Sequence, residues 1–526
     1  MTATRSLPIG IQDFEKLRRE GHVYVDKTAY IYQLSRGSKP YFMGRPRRFG
    51  KSLLLSTMRT YFEGKREYFE GLAIADLETE WESYPVFHLD MNADRYVDMS
   101  RFMGAVNKNL ENLEKKWGKV ASETSPANRL SGLIERAYEQ TKKPVVVLID
   151  EYDKPLLDTL HDRQLHEAMR DELQGFYGVL KSADKYLRFL FLTGITKFSQ
   201  VNVFSTLNQL NDISLDNAYS AICGITETEL LQNFEPELQA LAQAKDATLE
   251  ETLAELKMHY DGYHFARRSE DVYNPFSVLN TLAKKEYADY WFQTGTPSFL
   301  IRLISTTNFR IPQLENDMFA TANEMFNYRA EMKNILPLLY QSGYLTIKEY
   351  IGQMNLFRLG FPNEEVRVGF LQQLLPQYIP AMDDESDLSI TFFVRDIYLG
   401  NIEPFMQRLR VLFAKIPYKK GAPARSEDFY QSILYTLFNA MGVRVRMEME
   451  SSQGRADIVA ETPDAVYVFE FKMMNRGTAE EALAQIDDKG YLIPYTADSR
   501  RLIKIGVEFD AKARTIGRWL VVKSSL

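Results

Sequence analysis

The chain has 526 residues, 45% of them hydrophobic and 26% charged. That length exceeds what one hydrophobic core serves, so two or more globular domains are expected. A single cysteine, Cys223, excludes an internal disulfide framework and a cysteine-built zinc cluster. The net charge of -7 excludes a general nucleic-acid coat but hides a local difference: residues 401–526 hold 19 Lys and Arg against 16 Asp and Glu, and the rest hold 45 against 55.

The opening string MTATRSLPIGIQDF lacks the charged start, apolar stretch and cleavage site of a signal peptide. No uncharged apolar run approaches the roughly 18 residues of a bilayer span. A cytoplasmic protein without a membrane partner is expected.

The short apolar run PYFM, Pro40 to Met43, is followed by GRPRRFGKS and then by LLLSTMRTYF at helical spacing. Strand, loop and helix in that order are the context a phosphate loop requires. Such a loop surrounds phosphates with backbone N–H groups at a helix start, while a lysine reaches the terminal phosphates and a hydroxyl ligates magnesium. The candidate nucleotide contacts are therefore Arg45, Pro46, Arg47, Arg48, Phe49, Gly50, Lys51 and Ser52, with Ser52 also on the metal. The usual spacing asks for glycine at position 45, and Gly44 stands one residue early, so the signal is GKS in context.

Further apolar runs read as strands with helices between them. YPVFHLDMN spans Tyr84 to Asn92, and KKPVVVLIDEYDKP carries five apolar residues, Val145 to Ile149, ending in Asp150 and Glu151. A buried parallel strand ends this way at a nucleotide site. Asp150 is assigned to the magnesium shell and Glu151 to polarising the attacking water. RFLFLTG, Arg188 to Gly194, puts Thr193, Thr196 and Lys197 at a strand's carboxyl end, where open α/β sheets bind ligands. Each threonine reads equally as a γ-phosphate sensor or as a turn cap. The alternation implies a parallel sheet with right-handed crossovers.

From about Thr226 the spacing turns helical and suggests a lid or arm. Tyr260 to Tyr263 and Asn274 to Phe276 read as turns that stop helices, the favoured reading, or that close on nucleotide. Asp289 to Ile347 is aromatic and mixed in pattern, and AMDDESDLS, Ala381 to Ser389, is the expected exposed seam.

After the seam, SEDFYQSILYTLFNAMG predicts an amphipathic helix from a Ser426 cap to Gly442, with Phe429, Ile433, Leu437 and Ala440 on one face. GRADIVAE and AVYVFEFKM then predict two strands. Glu470 and Lys472 share a face, and a hairpin brings Asp457 beside Glu470. Asp457 and Glu470 can share a hard magnesium ion, while Lys472 positions or deprotonates water and offsets phosphate charge. Glu427 is a candidate extra acid. Gln485, Lys489 and Tyr491, in and after the following helix, read as substrate-side contacts or as surface residues.

The strings LPIGIQDFEKLRREGHVYVDKT, MGRPRRFGKSLLLSTM, VVLIDEYDKPL, FLTGITKFSQV, YDGYHF, YNPFSVL, SGYLTI, EDFYQSILYTLF, GRADIV and FEFK together resemble the bacterial AAA-ATPase-like proteins that carry a C-terminal PD-(D/E)xK nuclease-superfamily domain. The resemblance covers nearly the whole chain. It implies a P-loop ATPase with Lys51, Ser52 and Asp150 in the nucleotide site, and makes Arg45 a family trait. It also implies a restriction-endonuclease-like fold with Asp457, Glu470 and Lys472 at a metal site. Asp26 and Lys27, in VYVDKT, are placed near the nucleotide by the resemblance alone, against a helix-start reading of Asp26.

The expected architecture is α/β: a P-loop NTPase core over 1–225, a helical lid and middle region over 226–385, and a nuclease-like domain over 386–526. The expected function is ATP hydrolysis, with magnesium, controlling a magnesium-dependent nuclease on nucleic acid, DNA ahead of RNA. A homo-oligomer is left open. Glu151, Asp457, Glu470 and Lys472 are the expected catalytic set, supported by Thr193, Lys197, Glu427 and Gln485. The competing expectation is a nucleotide-controlled switch or scaffold whose nuclease fold binds without cutting.

Overall fold

In the computed structural model the apolar runs of the first half become β1 (Tyr41–Gly44), β2 (Val86–Asp90), β3 (Val145–Asp150) and β4 (Leu187–Gly194), joined by a short polar strand that the sequence reading did not anticipate, β5 (Asn211–Asp212). They form one parallel sheet in the order β2-β3-β4-β1-β5. The structure describes residues 6–37, 40–92, 94–197, 210–292, 300, 318–326, 335–378, 390–416, 427–441, 443–451, 454–474, 476–495, 500–510, 512–513 and 515–524. Two units divide the chain, residues 1–299 with 317–365 and residues 300–316 with 366–526.

In the first unit β3 is buried along its whole length, as a central parallel strand covered on both faces must be. Among the described residues, three of the four long helices between strands start on side-chain acceptors. Asp98 opens Met99–Trp117, Ser125 opens Pro126–Thr141 and Asp162 opens Arg163–Ser182, each accepting from a backbone N–H three residues on. The helix Lys51–Phe62 is different: it starts at Gly50 with φ 90° and no side-chain cap.

The helical spacing after Thr226 becomes the helices Glu227–Ala244 and Leu249–Tyr260, opened by reciprocal capping boxes of Thr226 with Glu229 and Thr248 with Glu251. Pro236 lies inside the first, where Phe234 leaves helical angles. Leu230, Phe234, Leu238 and Leu256 pack with Val278 and Leu282 of the helix Pro275–Lys284. Periodicity does not announce the next element, a three-stranded antiparallel sheet of β6 (Met318–Ala320), β7 (Thr346–Ile351) and β8 (Leu356–Gly360), ordered β6-β8-β7. Residues 226–299 and 317–365 belong to the same unit as the phosphate loop.

The second unit holds the helix Glu427–Ala440 and the strands β9 (Arg444–Ser451), β10 (Gly454–Glu461), β11 (Ala465–Met473), β12 (Arg501–Asp510) and β13 (Thr515–Ser524). The sheet order is β13-β12-β11-β10-β9. β11 and β12 are parallel, joined through the helix Ala479–Asp488, and the other pairs are antiparallel. Ile433, Leu437 and Ala440 are buried. Ser426, Gly442 and the seam Ala381 to Ser389 lie outside the described residues, as does the side chain of Phe429. Among the described residues no helix is long and apolar enough to cross a membrane.

Candidate nucleotide and metal sites

The phosphate-loop candidates occupy the turn between β1 and the helix Lys51–Phe62. Because Gly50 provides no side-chain cap, the first-turn N–H groups carry the positive end of the helix dipole without a side-chain acceptor, which suits phosphate oxygens. A methyl group at Gly50 would meet nothing within 4 Å, so the approach is open. Lys51 is only 4% exposed, and its Nζ donates to the carbonyls of Arg45 and Pro46 at 3.0 Å each. The ammonium is thus held at the loop by weak neutral acceptors that phosphate can replace.

Arg45 turns inward. Its Nη1 donates to the carbonyls of Gly44 and Ser214 at 2.9 Å, its Nη2 to that of Tyr219 at 3.1 Å, and its guanidinium lies 4.3 Å from the Phe265 ring centre. Here the residue at the usual glycine position ties the loop to the 214–219 turn. The rest of the loop is gripped by the later part of the same unit. Phe49 packs edge-on to Tyr263 and Phe265, Arg48 lies over Phe276, and the Trp291 indole donates to the Arg47 carbonyl at 3.2 Å. Gly343 lies so close to Pro46 that a Cβ there would come within 2.7 Å of its ring. The strings YDGYHF and SGYLTI therefore supply loop contacts, beyond the helix-stop role expected for the first.

At the carboxyl ends of β3 and β4, Thr193 Oγ1 donates to Asp150 Oδ1 at 2.7 Å. Glu151 has φ 49°, a left-handed conformation that costs a non-glycine residue about 1–3 kcal/mol. Burial raises its carboxyl above the ordinary range; Asp150 and Asp153 add to this and the Lys51 ammonium opposes it. Thr196 serves Asp153, a residue the sequence reading missed although it stands in the same DEYD string. Ser52 is half-buried in the first turn of the helix.

Three accessory positions are occupied by structural contacts. Asp26 accepts from Thr28 N and Thr28 Oγ1 and also from Ala73 N, so it opens two helices. Lys27 donates to the Glu229 carboxylate at 2.6 and 2.7 Å and to the Ala221 carbonyl. The helix-start reading of Asp26 is the one its contacts describe. Lys197 Nζ donates to Asp212 at 2.7 Å, while its backbone N–H donates to Gln341.

In the second unit the hairpin register pairs Ile458 with Phe469, which sets Asp457 beside Glu470 at the next position. Asp457 accepts from Phe471 N at 2.8 Å, and Glu470 accepts from Asp457 N at 3.4 Å. Lys472 Nζ lies 3.3 Å from Glu470 and donates to Gln485 Oε1 at 2.6 Å. Gln485 also donates to Glu470 and, at 3.2 Å, to the Tyr491 hydroxyl. Gln485 and Tyr491 thus join the cluster, while Lys489 is exposed. The Glu427 side chain lies outside the described residues.

Glu470 is 2% exposed, and burial together with the neighbouring Asp457 pushes its carboxyl up to about 7, against the pull of Lys472. A buried carboxyl raised in part by the neighbouring Asp457 forms with it a donor pair that suits a hard divalent cation, which relieves the repulsion.

The first unit is a P-loop NTPase module and the second a nuclease-superfamily module. The chain matches the family model described as predicted AAA-ATPase over residues 8–204 and that of the PD-(D/E)XK nuclease superfamily over 425–519. It is 37% identical over 528 residues to a protein of Azotobacter chroococcum mcd 1 described as an uncharacterized protein in the vnfD 5' region, covering 98% of this chain and 99% of that one. The chain belongs to the family of AAA-ATPase-like proteins with a C-terminal PD-(D/E)XK nuclease-superfamily domain. Among solved structures, Aeropyrum pernix ORC2 in its ADPNP-ADP complexes matches 66% of this chain and 88% of its own, at 14% identity and a TM-score of 0.22, too loose a superposition to carry an argument.

Proposed function

We propose that this protein binds and hydrolyses ATP in its first unit and, under that control, cleaves phosphodiester bonds of nucleic acid, DNA ahead of RNA, in its second. The observation that carries the reading is the convergence of Asp457, Glu470, Lys472 and Gln485 where the helix Ala479–Asp488 meets the β10–β11 hairpin, in a chain that also presents an uncapped helix start at Lys51. Asp457 and Glu470 would hold Mg2+, which when bound supplies positive charge against the phosphodiester. Lys472 holds water near the scissile phosphate and offsets phosphate charge, and Gln485 fixes the Lys472 ammonium and the Glu470 carboxyl in register. In the first unit Ser52 and Asp150 would hold Mg2+ with the nucleotide, Lys51 exchanges its carbonyl partners for phosphate oxygens, and Glu151 orients water. A cytoplasmic setting fits the lone buried Cys223.

The test is cleavage of labelled single- and double-stranded DNA and RNA by the full chain with magnesium or manganese, with and without ATP, beside Lys51→Ala and Asp457→Ala. Cleavage lost in Asp457→Ala and made ATP-insensitive in Lys51→Ala supports the reading. The second reading, a nucleotide-controlled switch that binds without cutting, is favoured by the weak charge bias, 19 basic against 16 acidic residues over 401–526, where phosphate-tracking surfaces are usually strongly basic. Intact ATP hydrolysis with no cleavage of any substrate selects it.

A further inference from the structure

Asp153 is 1% exposed, and its partners are all neutral donors from one short segment: Ile195 N at 3.0 Å, Thr196 N at 2.6 Å and Thr196 Oγ1 at 2.6 Å. A buried carboxylate is expensive to keep, and three aligned donors are what make it tolerable. The same two stretches are tied twice more through Tyr152, whose N–H donates to the Thr193 carbonyl at 3.0 Å and whose hydroxyl donates to the Thr196 carbonyl at 2.8 Å. Thr193 closes the ring on Asp150. Gly194 sits inside this staple, where a Cβ would come within 2.6 Å of Asp153 Oδ1 and 2.8 Å of the Tyr152 ring, so the segment cannot shift towards the acids without breaking it.

The staple therefore joins the turn bearing Asp150 and Glu151 to the segment bearing Thr193, Thr196 and Lys197. Both stretches lie at the carboxyl edge of adjacent strands, and the Lys51 ammonium acts electrostatically on Glu151 and Asp153 alike. A neutral side chain would hold a mere loop at lower desolvation cost. A charged one ties the segment to the charge state of the phosphate side.

We infer that Asp153 is a positioning residue that locks the 193–196 segment to the Asp150–Glu151 turn, and that this lock lets the site distinguish a nucleoside triphosphate from a diphosphate. The inference rests on the nucleotide-site reading above and deepens it by naming the residue that holds the 193–196 segment in place for the terminal phosphate.

The experiment is competition binding of ADP and a non-hydrolysable ATP analogue, with magnesium, to the full chain and to Asp153→Ala, Asp153→Asn, Thr196→Val and Thr196→Ser, alongside melting temperatures. Wild type is expected to prefer the triphosphate. Asp153→Ala and Thr196→Val are expected to lose about tenfold of that preference, what one or two hydrogen bonds are worth, with ADP affinity kept within about threefold. Thr196→Ser retains the preference and Asp153→Asn falls between. Should Asp153→Ala fail to fold, Thr196→Val decides, since it removes one hydroxyl and leaves the backbone donors in place. An unchanged preference in the variants, an equal loss of both nucleotides, or no preference in wild type overturns the inference and leaves the nucleotide site standing. A wild-type protein that binds neither nucleotide overturns both.

Discussion

The proposed function gives Lys51 and Lys472 the same use, to face phosphate beside acids, but their surroundings differ in kind. Lys51 rests on two backbone carbonyls of its own loop, whereas Lys472 rests on two side chains, Glu470 and Gln485. Backbone acceptors are placed by the loop path, which is held by Arg45, Phe49 and Trp291 from outside. Side-chain acceptors are placed by the hairpin register and the helix Ala479–Asp488. The proposed nucleotide site is thus pre-set by main chain, and the proposed metal site by a side-chain network whose charge depends on pH.

The largest expected effect breaks the two sites separately. Lys51→Ala should lower ATP turnover by at least about 100-fold, and Lys472→Ala should lower cleavage by a similar factor, each leaving the other site's ligand-induced thermal shift intact. Phosphate release assays, gel cleavage assays and thermal shifts with ATP or Mg2+ read this. If Lys472→Ala abolished the ATP shift as well, the two lysines would not belong to separate sites.

Next in size is the pH response of the metal site. Glu470 holds its proton up to about 7 in the folded chain, while an unfolded glutamate loses it near the ordinary value of 4.5. Between these values the folded form carries the extra proton, so metal-free stability falls as pH rises through the window and then levels. Metal binding needs the ionised carboxyl, so the Mg2+-induced thermal shift should grow over the same window. Asp457→Asn removes the repelling charge, lowers the Glu470 carboxyl and flattens the metal-free slope, while also removing a metal ligand. Thermal melts from pH 5 to 8, with and without Mg2+, check both directions; a slope unchanged in Asp457→Asn would show that Asp457 does not raise Glu470.

How much of this is legible in the sequence differs between the two regions for physical reasons. Asp457, Glu470 and Lys472 are neighbours through period-two alternation and a hairpin, both local rules, so their convergence can be read from the string alone. The strands of the first sheet are equally plain, because buried parallel strands are continuous apolar runs. The grip on the phosphate loop is not legible. Trp291 lies 244 residues from Arg47 in the chain, and no local period encodes that contact. Asp153 escapes for another reason: in DEYD the first two acids absorb the chemistry, and only burial shows that the third is bonded to the next strand's exit. Gln485 is ambiguous on its helix until the backbone turns that face towards Glu470.

The smallest effect concerns the grip itself. The Glu365 carboxylate accepts from Ser277 Oγ at 2.8 and 3.0 Å and from Trp291 N at 2.7 Å, so it anchors the residue whose indole holds Arg47. Burial pushes this carboxyl up to about 8, with Asp289 adding to the rise and the donated hydrogen bonds opposing it. Between the ordinary value of 4.5 and about 8 the folded form keeps a proton that the unfolded form releases, so this group, too, lowers stability as pH rises. Glu470, at about 7, is still losing its proton in the lower part of this range, so the two slopes overlap and a Glu470→Gln background separates them. Glu365→Gln keeps an acceptor for Trp291 and has no proton to lose, so it should gain steadily on wild type as pH rises from 5 to 8. Denaturant titrations at pH 5, 7 and 8 measure the gain, and in a Glu470→Gln background the slope that remains towards pH 8 should be lost on adding Glu365→Gln. If Glu365→Gln instead falls below wild type at pH 8, the ionised carboxylate is the form that holds Trp291.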